Sequence, residues 1–197
     1  MLNLQRNWGI NFHHTGSKMA EIRFVGYGGQ GIVRAGIIVV KGASIFDDKF
    51  AVMNQSFGPE ARGGACSSEL VISDAKVLYP YVEVADVLVA MSQPGYEKFE
   101  PELGEEGMLL IDEDMVKPAE PRDAIKVFSV PATRLSEELG YRIMANVVML
   151  GFFTAVTQLV SKDGMVKAIT DSVPGGLVDY NLNAFEKGFQ YKSQPSE

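Results

Sequence analysis

The hexapeptide Gly26-Tyr27-Gly28-Gly29-Gln30-Gly31 constrains this chain more than any other stretch. Ile22-Arg23-Phe24-Val25 precedes it, with the β-branched and aromatic residues of a short strand. Residues 32–43 follow, mostly apolar and long enough for three helical turns. Strand, glycine turn and helix form the order in which G-x-G-x-x-G carries meaning. Glycines there permit a tight turn, close approach of a bound group, and close packing of helix on strand. The helix N-terminus beyond them presents N–H groups and a partial positive charge, which suits a phosphate. Two readings stay open from these residues alone. Gly26, Gly28, Gly29, Gln30 and Gly31 either serve the turn and helix packing, or form an anion site.

A dinucleotide site needs a second part, an acid roughly 20 positions on that ends the second strand and holds the ribose. Asp47 and Asp48 stand 16 and 17 positions past Gly31, but they precede the second strand expected over 50–54. Asn54, Gln55 and Ser56 occupy the strand's end instead. An NAD site lacks its second element.

The next candidate is Gln55-Ser56-Phe57-Gly58-Pro59-Glu60-Ala61-Arg62-Gly63-Gly64, read as a long loop leaving the second strand. Ligands of parallel sheets lie beyond the carboxyl ends of the strands, where this loop starts. Ser56, Gly58, Glu60, Arg62, Gly63 and Gly64 are its candidate residues. Arg62 offers a fork of donors suited to a carboxylate or phosphate, and Gly63-Gly64 lets the backbone pass close to a partner. An internal pair of Arg62 with Glu60 is the plainer alternative. Cys66 beside the loop has no histidine to activate it, because His13 and His14 are the chain's only two. Glu60, Glu69, Asp112, Glu113 and Asp114 show no pairing that implies acid–base work, and a solvated face explains most of them. No catalytic residue and no metal set emerges.

Further strands are expected at 65–73, 86–91, 108–111 and 125–130, and helices at 94–103, 133–139, 141–160, 162–172 and 177–192. The near-continuous apolar runs at 86–91 and 108–111 are those of strands buried on both faces. The pattern predicts an α/β fold: a single doubly wound, mostly parallel sheet with helices on both faces and a helical C-terminal part. One domain spans 19–192. Residues 1–18, aperiodic and without acids, read as a disordered extension or cloning scar, and 193–197 as a flexible tail.

A net charge of −7 with no Lys/Arg cluster argues against nucleic acid. The stretch 143–160 is apolar, but Asn146, Thr154, Thr157 and Gln158 interrupt it, and a membrane span needs about 20 predominantly apolar residues. A buried or subunit-contacting helix is expected, with Met144, Val148, Phe152 and Val156 facing the core or an interface. The single cysteine fits a reducing, cytoplasmic setting.

Taken in order, the glycine turn, the G-P-E-A-R-G-G loop at 58–64, Asp86-Val87-Leu88-Val89-Ala90 and Asn146-Val147-Val148-Met149-Leu150-Gly151 resemble the gamma subunit of the 2-oxoacid:ferredoxin (or other acceptor) oxidoreductases. The wording of the loop is closer to the 2-oxoglutarate type than to the pyruvate or indolepyruvate types. The resemblance covers residues 20–189 and implies an accessory subunit, inactive in isolation, of a complex converting 2-oxoglutarate to succinyl-CoA. Its implied partners are alpha and beta subunits, a ferredoxin-like delta subunit, and ferredoxin or another acceptor. Thiamine diphosphate, magnesium, iron–sulfur clusters and coenzyme A would be held by the complex, none of them by this chain alone. One cysteine is too few for a four-cysteine cluster, and no G-D-G with a later N-N is present. A free-standing, Rossmann-like nucleotide-binding oxidoreductase or sensor is the competing expectation, and a purely structural, self-associating domain is a third; the isolated chain is also expected to be able to form a homodimer.

Overall fold

Apolar runs bounded by turns become the middle of a sheet. The computed structural model describes residues 19–57, 65–79, 81–120, 122 and 124–193, with the backbone alone at Phe57 and Ala65. The expected extension at 1–18 and most of the expected tail lie outside that range.

Six strands form one sheet in the order β2-β3-β1-β4-β5-β6. Four run parallel: β1 (Met19–Tyr27), β4 (Ala85–Ala90), β5 (Leu103–Asp112) and β6 (Lys126–Val130). β3 (Ala65–Ser73) is antiparallel to β1, and β2 (Phe50–Phe57) is antiparallel to β3 at the sheet edge. The mostly parallel α/β sheet expected from the strand–helix alternation is what forms. Among the described strands β3, antiparallel to both its neighbours, is the one that runs against the others.

One face carries α1 (Ile32–Lys41), α4 (Ala145–Thr157), α5 (Lys162–Thr170) and α6 (Val178–Gln190), whose apolar residues join Ile22, Phe24, Val87, Val89, Leu110 and Phe128 in the larger core. The other face is covered by α2 (Gln93–Phe99) with Met115, Val116 and Ile125, over Val25, Leu88, Leu109 and Val127. α3 (Ala132–Glu138) leads from β6 into the helical part.

Several boundaries differ from the sequence expectation. β2 runs on to Phe57, so Gln55 and Ser56 belong to the strand and not to a loop. The backbone ladder to β3 continues to Phe57–Cys66, and an edge strand does not need apolar side chains to keep it. α2 stops at Phe99 and tightens into a 3₁₀ turn at 100–102, because Pro101 has no N–H for an α-helical bond. The chain from Leu103 onward is already β5. α1 loosens into a π turn over Gly42–Phe46. The helix expected over 141–160 divides into a 3₁₀ turn at Arg142–Met144 and α4, which Gln158 closes in a left-handed conformation, φ 53°.

α4 is apolar on all sides because it is covered on all sides. Phe153 meets Phe24 of β1, with ring centroids 5.2 Å apart. On its outer side α6 crosses at Gly151 and Gly188, where the two backbones touch. Met144, Val148, Phe152 and Val156 therefore face the core, and not a partner. No helix among the described residues is long and apolar enough to cross a membrane.

Candidate functional site

Strand register gathers the candidate residues at one end of the sheet. Tyr27 pairs with Ala65, and Cys66 pairs with both Gly26 and Phe57. The glycine turn leaves β1 beside the point where the chain enters β3 at Ala65, at the edge where β4, β5 and β6 also end. Chain direction diverges here: β1 leads through α1 to strands on one side of it, while β4 lies on the other. That is the switch point where open α/β sheets leave a crevice. Ser56 is exposed at this edge, whereas Gly58, Glu60, Arg62, Gly63 and Gly64 lie outside the described residues.

The glycines of the turn have different reasons to be glycine. A Cβ at Gly26 would meet Gln30 Oε1 at 2.5 Å and Ile32 Cδ1 at 2.6 Å. Gly29 and Gly31 have φ of 96° and 75°, which side-chain-bearing residues rarely adopt. A Cβ at Gly31 would also press on the Asn146 amide, with Cγ at 3.1 Å. Gly28 has neither constraint, and open space surrounds the position of its missing Cβ. Folding therefore explains three of the four.

Gln30 staples the turn. Its Oε1 accepts from Tyr27 N at 2.6 Å, and its Nε2 donates to the Met91 carbonyl at 2.8 Å. With both ends of the amide on backbone, an anion here would be held by the N–H groups opening α1 and not by this side chain. Gly31 caps α1 in the left-handed conformation, with no side-chain cap and no acid in the first turn. Asn146 closes the arrangement from α4, donating to the Gly31 carbonyl at 3.3 Å.

Beside the turn lies a cleft of about 420 Å³, bounded by Tyr27, Gly29 and Gln30 on one side and by Met115, Thr133, Arg142, Ile143 and Ala145 on the other. Arg142 is its cation, exposed and paired at 3.3 Å with Glu137. Its far wall rests on Asp112. That carboxylate is fully buried at the end of β5, where it accepts from Thr133 N at 3.1 Å and Thr133 Oγ1 at 2.6 Å, fixing the start of α3. Burial raises its pKa above the ordinary value of 3.8, against the lowering effect of the Thr133 hydroxyl. Asp112 is thus a structural cap and no part of a solvated face. Glu113 and Asp114 do stand at the surface, on Arg134 at 2.8 and 3.4 Å. Burial also pushes the Cys66 thiol up, which keeps it protonated and a poor nucleophile.

Sequence reasoning missed Arg142, Thr133 and the Asn146 contact. Asn146 could have been found as a lone amide in an otherwise apolar run; the other two carry no local signal.

The β2–β3 hairpin also disposes of the dinucleotide reading. A ribose-binding acid must end the strand next to β1, but β3 holds that place, and β2 stands two strands out, about 10 Å away. Fold and site together define a glycine-turn α/β domain whose open edge has no histidine or activated thiol among the described residues. Residues 21–191 match the pyruvate ferredoxin/flavodoxin oxidoreductase family, and the chain belongs to it. The 2-oxoglutarate synthase subunit KorC of Methanocaldococcus jannaschii is 48% identical over 172 residues, 86% of this chain and 92% of that protein. A crystal structure of the gamma subunit of a keto/oxoacid ferredoxin oxidoreductase from Geobacter sulfurreducens matches with a TM-score of 0.77 and 41% identity, over 87% of this chain and 96% of that one. A 2-oxoglutarate:ferredoxin oxidoreductase of Magnetococcus marinus, with 2-oxoglutarate, coenzyme A and succinyl-CoA bound, shares the fold at TM-score 0.80 and 21% identity, over 87% of this chain and 30% of that one. The resemblance to gamma subunits of 2-oxoacid:ferredoxin oxidoreductases is borne out.

Proposed function

We propose that this chain is the gamma subunit of a 2-oxoglutarate:ferredoxin (or other acceptor) oxidoreductase that forms succinyl-CoA. Near-full-length identity of 48% to a 2-oxoglutarate synthase subunit carries this reading, against 34% to a pyruvate synthase subunit. Thiamine diphosphate with magnesium supplies the decarboxylation in such a complex, and iron–sulfur clusters take the electrons. Alpha, beta and ferredoxin-like delta subunits hold these groups, since this chain has a single, buried cysteine. Its own contribution is the carboxyl edge: the 58–64 loop with Arg62, and the turn at Gly28 that no packing demand explains. This edge faces the active-site subunits, and the N–H groups opening α1 accept an anionic part of a cofactor such as coenzyme A.

The test is reconstitution with the partner subunits, scoring 2-oxoacid-dependent reduction of ferredoxin. Turnover should require this chain and favour 2-oxoglutarate over pyruvate and branched-chain 2-oxoacids; another preference refutes the substrate. Arg62→Ala should lower turnover or assembly, and no change in either removes the loop from the account. The isolated chain should be inactive and show no saturable NADH binding by fluorescence.

A further inference from the structure

A second surface lies at the opposite end of the sheet. The connection from β3 to β4, described at 74–79 and 81–84, is anchored from inside. Val82 is 5% exposed within the core layer under α2, and Val77 packs against the same layer. The Val82 carbonyl accepts from Arg23 Nη2 at 2.7 Å. Arg23 is itself buried in β1, paired with Glu69 at 3.4 Å and with Glu102, and it lies 4.8 Å over the Phe99 ring. A buried guanidinium thus fixes the chain at Val82.

The side chains left outside are large and apolar. Leu78 is 85% exposed, Tyr79 61%, Tyr81 51% and Val84 58%, with the two tyrosine rings in contact at 5.2 Å. One exposed leucine is ordinary, whereas four such residues on an anchored loop form a contact surface held ready.

Charge says what covers it. Residues 74–107 contain eight carboxylates and two lysines, a formal excess of six out of the chain's net −7. Arg23 and Arg122 offset Glu102 and Glu100, Asp86 and Glu106 have partners of their own, and Asp74, Glu83 and Glu105 still outnumber Lys76 at the surface. Asp74, Glu83 and Glu105 are exposed, and Gly104, just before Glu105, lies against Val84. We infer that this face docks an apolar surface ringed by lysine and arginine on another subunit of the complex. The inference rests on the gamma-subunit role proposed above. A second copy of this chain would set one acidic field against another, and nucleic acid or an anionic membrane would be repelled in the same way.

The test uses the assembled complex with p-benzoyl-phenylalanine in place of Tyr79. Irradiation should cross-link it to a different subunit, within a segment containing lysine or arginine. Leu78→Asp should weaken binding to the remaining subunits by about tenfold or more, with the melting curve of the free chain unchanged. Glu83→Lys/Glu105→Lys should weaken binding too and flatten its salt dependence. The proposal is overturned if Tyr79 cross-links to a second copy or to nothing in a complex that still assembles, or if Leu78→Asp binds normally. If the wild-type chain joins no oxidoreductase subunits, the subunit role fails first and this surface with it.

Discussion

Gly151→Ala sets two physical effects against each other. Alanine in the middle of α4 should gain about 1 kcal/mol of helix propensity over glycine. The crossing with α6 opposes this. A Cβ at Gly151 would lie 2.7 Å from Phe189 N and nearer still to the Phe185 carbonyl oxygen, whereas ordinary contacts start at 3.4 Å. Both neighbours are backbone, so no side chain can turn aside. The helices must part, and a gap of even 0.5–1 Å forfeits a quarter to a half of each dispersion contact along the crossing. Overpacking of this kind costs typically 1–3 kcal/mol, and a backbone clash belongs at or above the upper end. The net expectation is a loss of about 2 kcal/mol, or roughly 4–8 °C in Tm for a chain of this size. Urea unfolding followed by far-UV circular dichroism measures it, with Gly175→Ala as control, since open space surrounds that position. Gly188→Ala should behave alike, with its Cβ 2.7 Å from Val148 C. The double variant should lose less than the sum, because helices already parted have room for the second methyl. A Gly151→Ala chain as stable as wild type would refute the close crossing.

Other outcomes follow from the same structure. Arg23→Ala should cost about 1–3 kcal/mol, because it removes the buried cation that joins Glu69, Glu102 and the Val82 carbonyl. Hydrogen exchange should show faster amides at 81–84 when the Val82 carbonyl loses its donor. Gly31→Ala should destabilise by about 1 kcal/mol or more through its positive φ alone. Gly28→Ala should stay within about 0.5 kcal/mol of wild type while lowering turnover of the reconstituted complex. Asp112 binds its proton more tightly folded than unfolded, so its contribution to stability falls as pH rises from about 3.8 through the raised folded pKa. Asp112→Asn should remove that slope from stability measured against pH.

The strands buried on both faces were legible because their composition admits little else: Val87-Leu88-Val89-Ala90 and Met108-Leu109-Leu110-Ile111 have no polar side to turn outward. The alternation in β3 was legible too, with Leu70 and Ile72 in the larger core and Val71 in the smaller. Alternation fixes faces, not neighbours, and so it could not reveal that β3 inserts between β1 and β2. That one pairing moves the end of β2 away from the glycine turn. The individual roles of the glycines were hidden for a similar reason. Gly31 is constrained by Asn146, which lies 115 positions further on. Arg23 looked like an ordinary polar residue in a strand; its burial depends on partners from β3 and from the turn before β5.

The crossing of α4 by α6 also has a consequence in time. α4 is complete at Thr157, and the helix that covers it ends at Gln190. At about 5–20 residues per second, the ribosome takes roughly 2–7 s to make the intervening segment. Through that interval a helix apolar on all sides has no lid on its outer face. A truncation before residue 178 would leave that face permanently uncovered.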